Sequence, residues 1–375
     1  MRGVYIHIPF CEQKCAYCDF LSFPGRQEKN KMRYVAALCK EMQLRLVGEW
    51  RSPDTVFIGG GTPTALTASE LKDLLETLGK YIDIYEVREF TMEANPGTID
   101  EEKLEVLLEG GVNRLSFGVQ SFDDTLLKRI GRIHTSKDAE KAVEMARRAG
   151  FTNINMDLMY GLPGQTATQW RATVDHALSL APTHLSLYQL IPEPSTLLVR
   201  QMAQGIVPPV DEEGAAEWFD AQREWLADAG YYQYEISNYA PRGYESIHNQ
   251  LYWNLDDYLG LGLGATGWGR PIRKSNTASF QDYVSALEAG KCPPTEEELL
   301  TRDEQMSESV FMALRMNHGL NRLRFASLYD VDVAEVFNDA ILEGEAKGWL
   351  VLNDEALALT DIGRRMGNWV FELFL

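Results

Sequence analysis

Six short β-branched runs, separated by helical stretches and each followed by glycine, cysteine or polar residues, restrict this chain to a parallel sheet joined by crossover helices. The runs are Val4–Ile8, Thr55–Ile58, Val87–Glu93, Arg114–Gly118, Ile154–Met159 and His184–Leu190. Between them, apolar residues recur at helical spacing over Lys31–Val47, Ala68–Lys80, Glu101–Glu109, Ser136–Ala149 and Thr168–Leu180. Parallel neighbours need such long crossovers, and the crossovers are right-handed. A doubly wound sheet and a barrel both satisfy the pattern. The position of the unusual residues favours the barrel. A cysteine loop follows the first run, Gly59-Gly60-Gly61-Thr62-Pro63 the second, and Glu93-Ala94-Asn95-Pro96 closes the third. Gln120 ends the fourth, the fifth carries Asp157 and leads into Gly161-Leu162-Pro163-Gly164, and the sixth ends near Gln189. Barrels assemble one site from the loops at the C-terminal ends of their strands. Six strands in place of eight predict an α/β fold with an open, partial (β/α)6 barrel whose gap admits a large ligand.

At 375 residues the chain exceeds one ordinary core. The pattern changes beyond about residue 200, where Pro208-Pro209 precedes a helical stretch over Glu212–Ala229 and an aromatic segment from Tyr231 to Tyr239. Lys291–Glu298, with two prolines and three glutamates in a row, reads as a linker. The expected division is a barrel over 1–235, a connecting region over 236–298 and a C-terminal domain over 299–375. The last part reads as helices, a small hairpin (Trp349–Leu352 with Ala356–Leu359) and a final helix, a mainly helical order like a winged helix. From Arg302 onward it carries seven Lys+Arg against thirteen Asp+Glu, and the whole chain has a net charge of −19. Such a surface repels phosphate backbones and anionic lipid, so nucleic acid and membranes are excluded as primary partners. No apolar run approaches the roughly 20 residues of a membrane helix, and the opening Val4-Tyr5-Ile6-His7-Ile8 does not read as a signal peptide. A cytoplasmic location is the expectation.

Three of the five cysteines, Cys11, Cys15 and Cys18, fall in one eight-residue stretch. A large reduced chain needs no disulfide framework, so the grouping points to a metal or iron–sulfur site. Cys-x3-Cys-x2-Cys offers three thiolates, which would leave one iron of a [4Fe-4S] cube open to a ligand. The alternative is a zinc ion with a distant fourth ligand, His7 or His134. Cys39 lies in the stripe Val35, Leu38, Cys39, Met42, Leu46 and reads as core; Cys292 precedes Pro293-Pro294 in the expected linker.

The stretch from Tyr5-Ile6-His7-Ile8-Pro9-Phe10-Cys11 to Cys18-Asp19-Phe20 resembles the signature of the radical S-adenosylmethionine (SAM) superfamily. The likeness extends through Gly59–Pro63, Glu93 to Gly97, Ser116-Phe117-Gly118-Val119-Gln120, Gly131-Arg132-Ile133-His134-Thr135 and Asp157 to Pro163. With these the chain resembles the coproporphyrinogen-dehydrogenase-like subfamily, and within it the haem-chaperone branch. The resemblance implies a [4Fe-4S] cluster on Cys11, Cys15 and Cys18 that passes an electron to SAM chelated at the open iron. It further implies SAM contacts from Gly60, Gly61 and Thr62 by close backbone approach, from Glu93 to the ammonium and from Arg132 to the carboxylate. Gln120 and Asp157 would take the ribose hydroxyls, and Tyr5 and Tyr17 would offer hydrogen bonds or stacking.

Two features separate the branches of that subfamily. The enzymes that oxidise coproporphyrinogen III to vinyl products carry a fourth cysteine where this chain has Phe20, and a longer segment before the motif. His248-Asn249-Gln250-Leu251-Tyr252-Trp253 resembles the HNxxYW signature of the haem chaperones, and His248 is the expected haem ligand. Taken alone, a buried histidine bonded to its neighbours explains such a residue as well. Thr266 stands where related sequences often carry histidine. Arg270, Arg273 and Lys274 are the expected patch for haem propionates. The resemblance therefore implies haem as cargo, apo-haemoproteins of the respiratory kind as recipients, and an electron donor for the cluster. The alternative is an oxygen-independent coproporphyrinogen III oxidase. No catalytic residue is assigned, and the acidic surface is compatible with a monomer or a homodimer.

Overall fold

The computed structural model describes residues 1–25 and 28–375. Six parallel strands, β1 (Arg2–Ile8), β2 (Thr55–Gly60), β3 (Glu89–Ala94), β4 (Arg114–Gln120), β5 (Asn153–Tyr160) and β6 (His184–Gln189), lie side by side in chain order. They are joined through helices α1 (Glu28–Arg45), α2 (Ala68–Tyr81), α3 (Glu101–Glu109), α4 (Ser136–Ala149) and α5 (Ala167–Ser179). Alternation decides which way each side chain points. On β1, Val4, Ile6 and Ile8 are fully buried in the core, while Tyr5 and His7 belong to the opposite face. The crossover helices begin where the sequence supplies caps: Thr67 with Glu70, Thr135 with Asp138 and Thr166 with Gln169 each form a reciprocal capping box. Gly150, in the left-handed region at φ 117°, closes α4. Leu71, Leu74, Leu75 and Leu78 of α2, and Ala139, Ala142, Val143 and Ala146 of α4, then pack into the main core.

The sheet continues past the expected six strands. After α6 (Glu212–Asp228), the short strands β7 (Tyr232–Gln233) and β8 (Asn238–Ala240) add antiparallel pairs beyond β6. Helix α7 (Ile247–Trp253) follows, and β9 (Asp257–Leu261) then runs parallel to β1 on its free edge. Beyond it come β10 (Thr266–Gly269), β11 (Ile272–Asn276) and β12 (Thr295–Leu299), with α8 (Phe280–Glu288) between the last two. Among the described residues this makes one sheet of twelve strands. The stretch read as a linker is therefore partly a strand. Glu296, Glu297 and Glu298 are tolerated because β12 is an edge strand, and such charges blunt an edge against further pairing.

One buried carboxylate fastens this extension to the barrel. Glu41 of α1 is fully buried and accepts from Arg45 Nη1 at 2.8 Å, Gly262 N at 2.8 Å, Asn276 Nδ2 at 2.8 Å and Tyr283 Oη at 2.6 Å. Four donors satisfy a charge that burial alone would make untenable.

A second core gathers Met306, Val310, Leu314, Phe325, Ile341, Leu357 and Phe374. It is built from α9 (Arg302–Ala313), α10 (Arg322–Tyr329), α11 (Asn338–Ala346) and a three-stranded sheet of β13 (Leu320–Asn321), β14 (Leu350–Leu352) and β15 (Ala356–Leu359). The hairpin read from the sequence is β14–β15. No helix among the described residues is long and apolar enough to cross a membrane.

Candidate functional site

The first turn after β1 carries the cysteines. Phe10–Cys11 pairs with Phe23–Pro24, which closes the loop between them, and Ala16 N donates to Ile130 O at 2.9 Å, which fixes its middle. Cys11 is buried, and Cys15 and Cys18 are half-buried. Thr62 Oγ1 lies 3.6 Å from Cys11 Sγ, and Arg132 Nη1 lies 3.3 Å from Cys15 Sγ. Burial raises the Cys11 thiol and pushes that of Cys18 up to about 11, so metal binding must displace protons there.

The loop after β2 closes against this one. A Cβ on Gly61 would sit 2.7 Å from Phe10 O, and Gly61 N and Thr62 N donate to Ile8 O and Phe10 O at 2.9 and 2.7 Å. Gly60 has φ 111° and gives its N–H to Glu93 Oε2 at 3.0 Å. Glycine is thus required at 61 by the cysteine loop and at 60 by the positive φ and by the His7 ring, which a Cβ there would strike, whatever else approaches them.

These loops enclose a cavity of about 470 Å³ at the C-terminal ends of the strands. Cys11, Cys15, Tyr17, Cys18, Gly60, Gly61, Thr62, Glu93, Gln120, Arg132 and Asp157 all line it. Tyr5 and His248 do not line it. Tyr5 lies one step below, with its hydroxyl 2.8 Å from His7 Nδ1, and burial followed by the Glu93 charge raises its phenol. Ser116, Met159, Tyr188, Leu190 and Ile191 also line the cavity and carried no assigned role in the sequence. Met159 and Tyr188 already lie in the runs Ile154–Met159 and His184–Leu190, and two-residue alternation from Asp157 and Ser186 would have put them on the cavity face. A larger hollow of about 910 Å³ between the ends of α2 and α3 shares none of these residues and gathers no comparable chemistry.

Charge in the cavity is unbalanced. Glu93 is pushed up to about 8 by burial and then by the charge of Asp157, and burial raises Asp157 as well. Two carboxylates that each resist ionisation favour a ligand with a positive group. Arg132 is held by Cys15 Sγ and by Gly118 O, and its Nε is buried without a partner. One guanidinium and two carboxylates lining the same cavity suit a ligand that carries both signs of charge.

The zinc alternative fares worse. Both ring nitrogens of His7 are engaged, by Tyr5 Oη and by Leu21 O at 3.0 Å, and His134, with Nε2 3.0 Å from Val119 O and Nδ1 unpartnered, does not line the cavity. Among the described residues no three His, Cys, Asp or Glu side chains converge on one ion. Three thiols lining one cavity suit a multi-iron group, in which each thiolate takes its own iron.

His248 sits at the other end of the barrel. It is 0% exposed, with Nδ1 2.8 Å from Thr55 Oγ1, Nε2 2.8 Å from Tyr252 Oη, and its ring stacked on Phe57 at 5.1 Å. Burial, then the Arg114 charge, lowers it to about 3, so the ring is neutral. Thr55 and Glu89 are the first residues of β2 and β3, and Glu89 accepts from Ser246 Oγ, Ile247 N and His248 N at the start of α7. Helix α7 therefore closes the floor of the barrel, roughly 17 Å of strand below the cysteines at ~3.3 Å per residue. The expected propionate patch is also occupied. Arg273 pairs with Glu298 and Glu308, Lys274 pairs with Glu297, and Arg270 stacks on Tyr329 at 5.3 Å. Thr266 Oγ1 is bonded to Ser275 Oγ at 2.8 Å.

Comparison with known proteins places this arrangement. Residues 5–177 match the radical SAM superfamily, and residues 300–366 match the HemN C-terminal domain. The chain is 39% identical over 378 residues to heme chaperone HemW of Bacillus subtilis, covering all of this chain and 99% of that one. It is 35% identical to heme chaperone HemW of Escherichia coli, covering 98% of that protein. In structure it superposes on coproporphyrinogen III oxidase (HemN) of Escherichia coli with a TM-score of 0.87 at 24% identity, over 100% of this chain and 89% of that one. At that identity the structural likeness concerns the fold.

Proposed function

The chain belongs to the HemW family of radical SAM proteins, and from that premise we propose that it holds haem and hands it to apo-haemoproteins, respiratory ones among them. The observation that carries this reading is identity along the entire length with relatives named heme chaperone, through both the barrel and the C-terminal part. In this reading Cys11, Cys15 and Cys18 hold a [4Fe-4S] cluster, and SAM occupies the neighbouring cavity. When bound, the cluster supplies an electron to SAM.

The chain's own residues position these groups. Arg132, which lines the cavity, takes the SAM carboxylate, and its contact with Cys15 ties that grip to the cluster loop. Glu93 accepts from the SAM ammonium, which favours its ionised form and relieves the mutual repulsion with Asp157. Gln120 and Asp157 take the ribose hydroxyls. Tyr17 and Thr62 close the wall beside the cysteines, while Tyr5 lies below the cavity, bonded to His7.

Axial ligation of haem by His248 requires α7 to lift from the floor, since both imidazole nitrogens are engaged while it is docked. Phe20, where the oxidase branch has its fourth cysteine, is 65% exposed at the cavity rim beside exposed Ile191. The test is haem transfer. Anaerobically reconstituted protein is loaded with haem, freed of excess by gel filtration and mixed with apomyoglobin. A shift of the visible spectrum to that of holomyoglobin supports the reading. Haem lost on the column, or retained and never released, contradicts it.

A further inference from the structure

We propose that Asn155, His184 and Tyr234 form a hydrogen-bond relay of fixed direction that positions Asp157 in the cavity and ties its placement to the docking of α7. The proposal rests on the reading of Asp157 as a SAM ribose contact. Asn155 is buried in the barrel, and its Nδ2 lies 2.8 Å from both Asp157 Oδ1 and Ser116 Oγ. Its Oδ1 faces His184 Nδ1 at 2.6 Å and Ser186 Oγ at 3.2 Å. With Asp157 ionised, as an acceptor of ribose hydroxyls, the opposite amide orientation would set a carbonyl oxygen against a carboxylate, so the donor of Asn155 points at Asp157.

That choice settles every proton below it. An amide oxygen only accepts, so His184 donates from Nδ1 and its Nε2 must accept. The partner of Nε2 is Tyr234 Oη at 2.8 Å, which therefore donates upward and can accept from below. It accepts from Ser246 N at 3.1 Å. His184 is fully buried, and burial with the nearby Arg114 charge keeps it neutral, as this pattern needs. Four donors, from Ser246 N through Tyr234 and His184 to Asn155, thus point their hydrogens the same way along the barrel interior, toward Asp157.

Ser246 is the N-cap residue of α7, the helix that carries His248. If α7 lifts, Tyr234 loses its donor, His184 loses the orientation of its partner, and Asn155 is free to turn from Asp157. Ordering Asp157 around a ligand conversely favours the docked helix. Linkage requires the two effects to be equal in free energy. Asn155 and His184 act here as positioning residues, since neither lines the cavity.

The test uses Tyr234→Phe, which keeps the ring and removes the hydroxyl, in anaerobically reconstituted protein. We expect iron content equal to wild type and SAM affinity weakened about fivefold, the effect of one net hydrogen bond. Amide exchange over residues 246–253 should slow on SAM addition in the wild type and not in the variant. Wild-type SAM affinity in Tyr234→Phe, or exchange in the wild type indifferent to SAM, overturns the relay. Asp157→Asn separates the two levels. SAM affinity unchanged in that variant removes Asp157 from the SAM site and the proposal with it, whereas a loss there beside an unaffected Tyr234→Phe refutes the relay alone.

Discussion

Arg132 illustrates how one side chain serves two parts of the site. Its Nη1 reaches Cys15 Sγ at 3.3 Å, its Nη2 is held by Gly118 O, and the residue lines the cavity. Arg132→Ala should therefore weaken SAM binding at least tenfold, the value of one charge-assisted bond at about 1.5–3 kcal/mol, while Cys15→Ala should abolish the cluster outright. Equilibrium dialysis with labelled SAM and iron analysis separate the two, and a full iron complement in Cys15→Ala would remove that ligand. Glu93 makes a prediction about pH. Its folded-state pKa, about 8, lies above the ordinary carboxylate value of 4.5, so the folded protein binds the extra proton. The stability that proton confers is intact below about pH 4.5 and is lost as pH rises through 8. Glu93→Gln should accordingly melt at a higher temperature than wild type at pH 9 in the ligand-free protein and match it near pH 5. An equal difference at both pH values would contradict a buried, proton-retaining Glu93.

At its first turn, element α7 is held by one carboxylate. Glu89 accepts three hydrogen bonds at its start, and those from Ser246 Oγ and His248 N are buried with it. Glu89→Ala leaves them without an acceptor and should cost about 3 kcal/mol in urea unfolding, with faster amide exchange over 246–253. A cost below about 1 kcal/mol would mean that α7 is held by packing alone. The six barrel strands and their crossover helices were legible in the sequence, because the alternation of Val4, Ile6 and Ile8 and the capping pairs at Thr67, Thr135 and Thr166 are local signals. So were the eleven predicted residues that line the cavity, since they carry a recognisable signature. Strand β12 was missed because Glu296, Glu297 and Glu298 obey the rules of an edge, where polarity is no obstacle; their partners Arg273 and Lys274 lie on the neighbouring β11. The burial of His248 was the bland alternative at the sequence level. Only the register of β2 and β3 reveals that Thr55 and Glu89 wait for it at the barrel floor. Asn155, His184 and Tyr234 escaped for a similar reason: facing inward in a barrel depends on neighbours remote in sequence.

The whole molecule joins these parts through its C-terminal half. Arg324 Nη2 reaches Asn254 O and Asp256 Oδ1 at 2.8 Å, just beyond α7, and Arg315 lies 5.0 Å from the Trp253 ring and 5.2 Å from that of Phe371. The floor helix is thus clamped between the barrel and the second core. The net charge of −19 bears on cargo. Haem brings two propionates, and the cations expected to meet them, Arg273 and Lys274, are already paired. Long-range repulsion should make haem association faster as ionic strength rises, because salt screens it. Stopped-flow mixing at low and physiological salt would show this, and a rate that falls with salt would point to an unrecognised basic site. The central claim is tested most directly by supplying coproporphyrinogen III in one sample and haem in another to anaerobically reconstituted protein with SAM and dithionite. The account predicts no decarboxylated porphyrin and a stable haem spectrum that changes in His248→Ala. Protoporphyrinogen formed with stoichiometric release of methionine would contradict it and make this chain an oxidase.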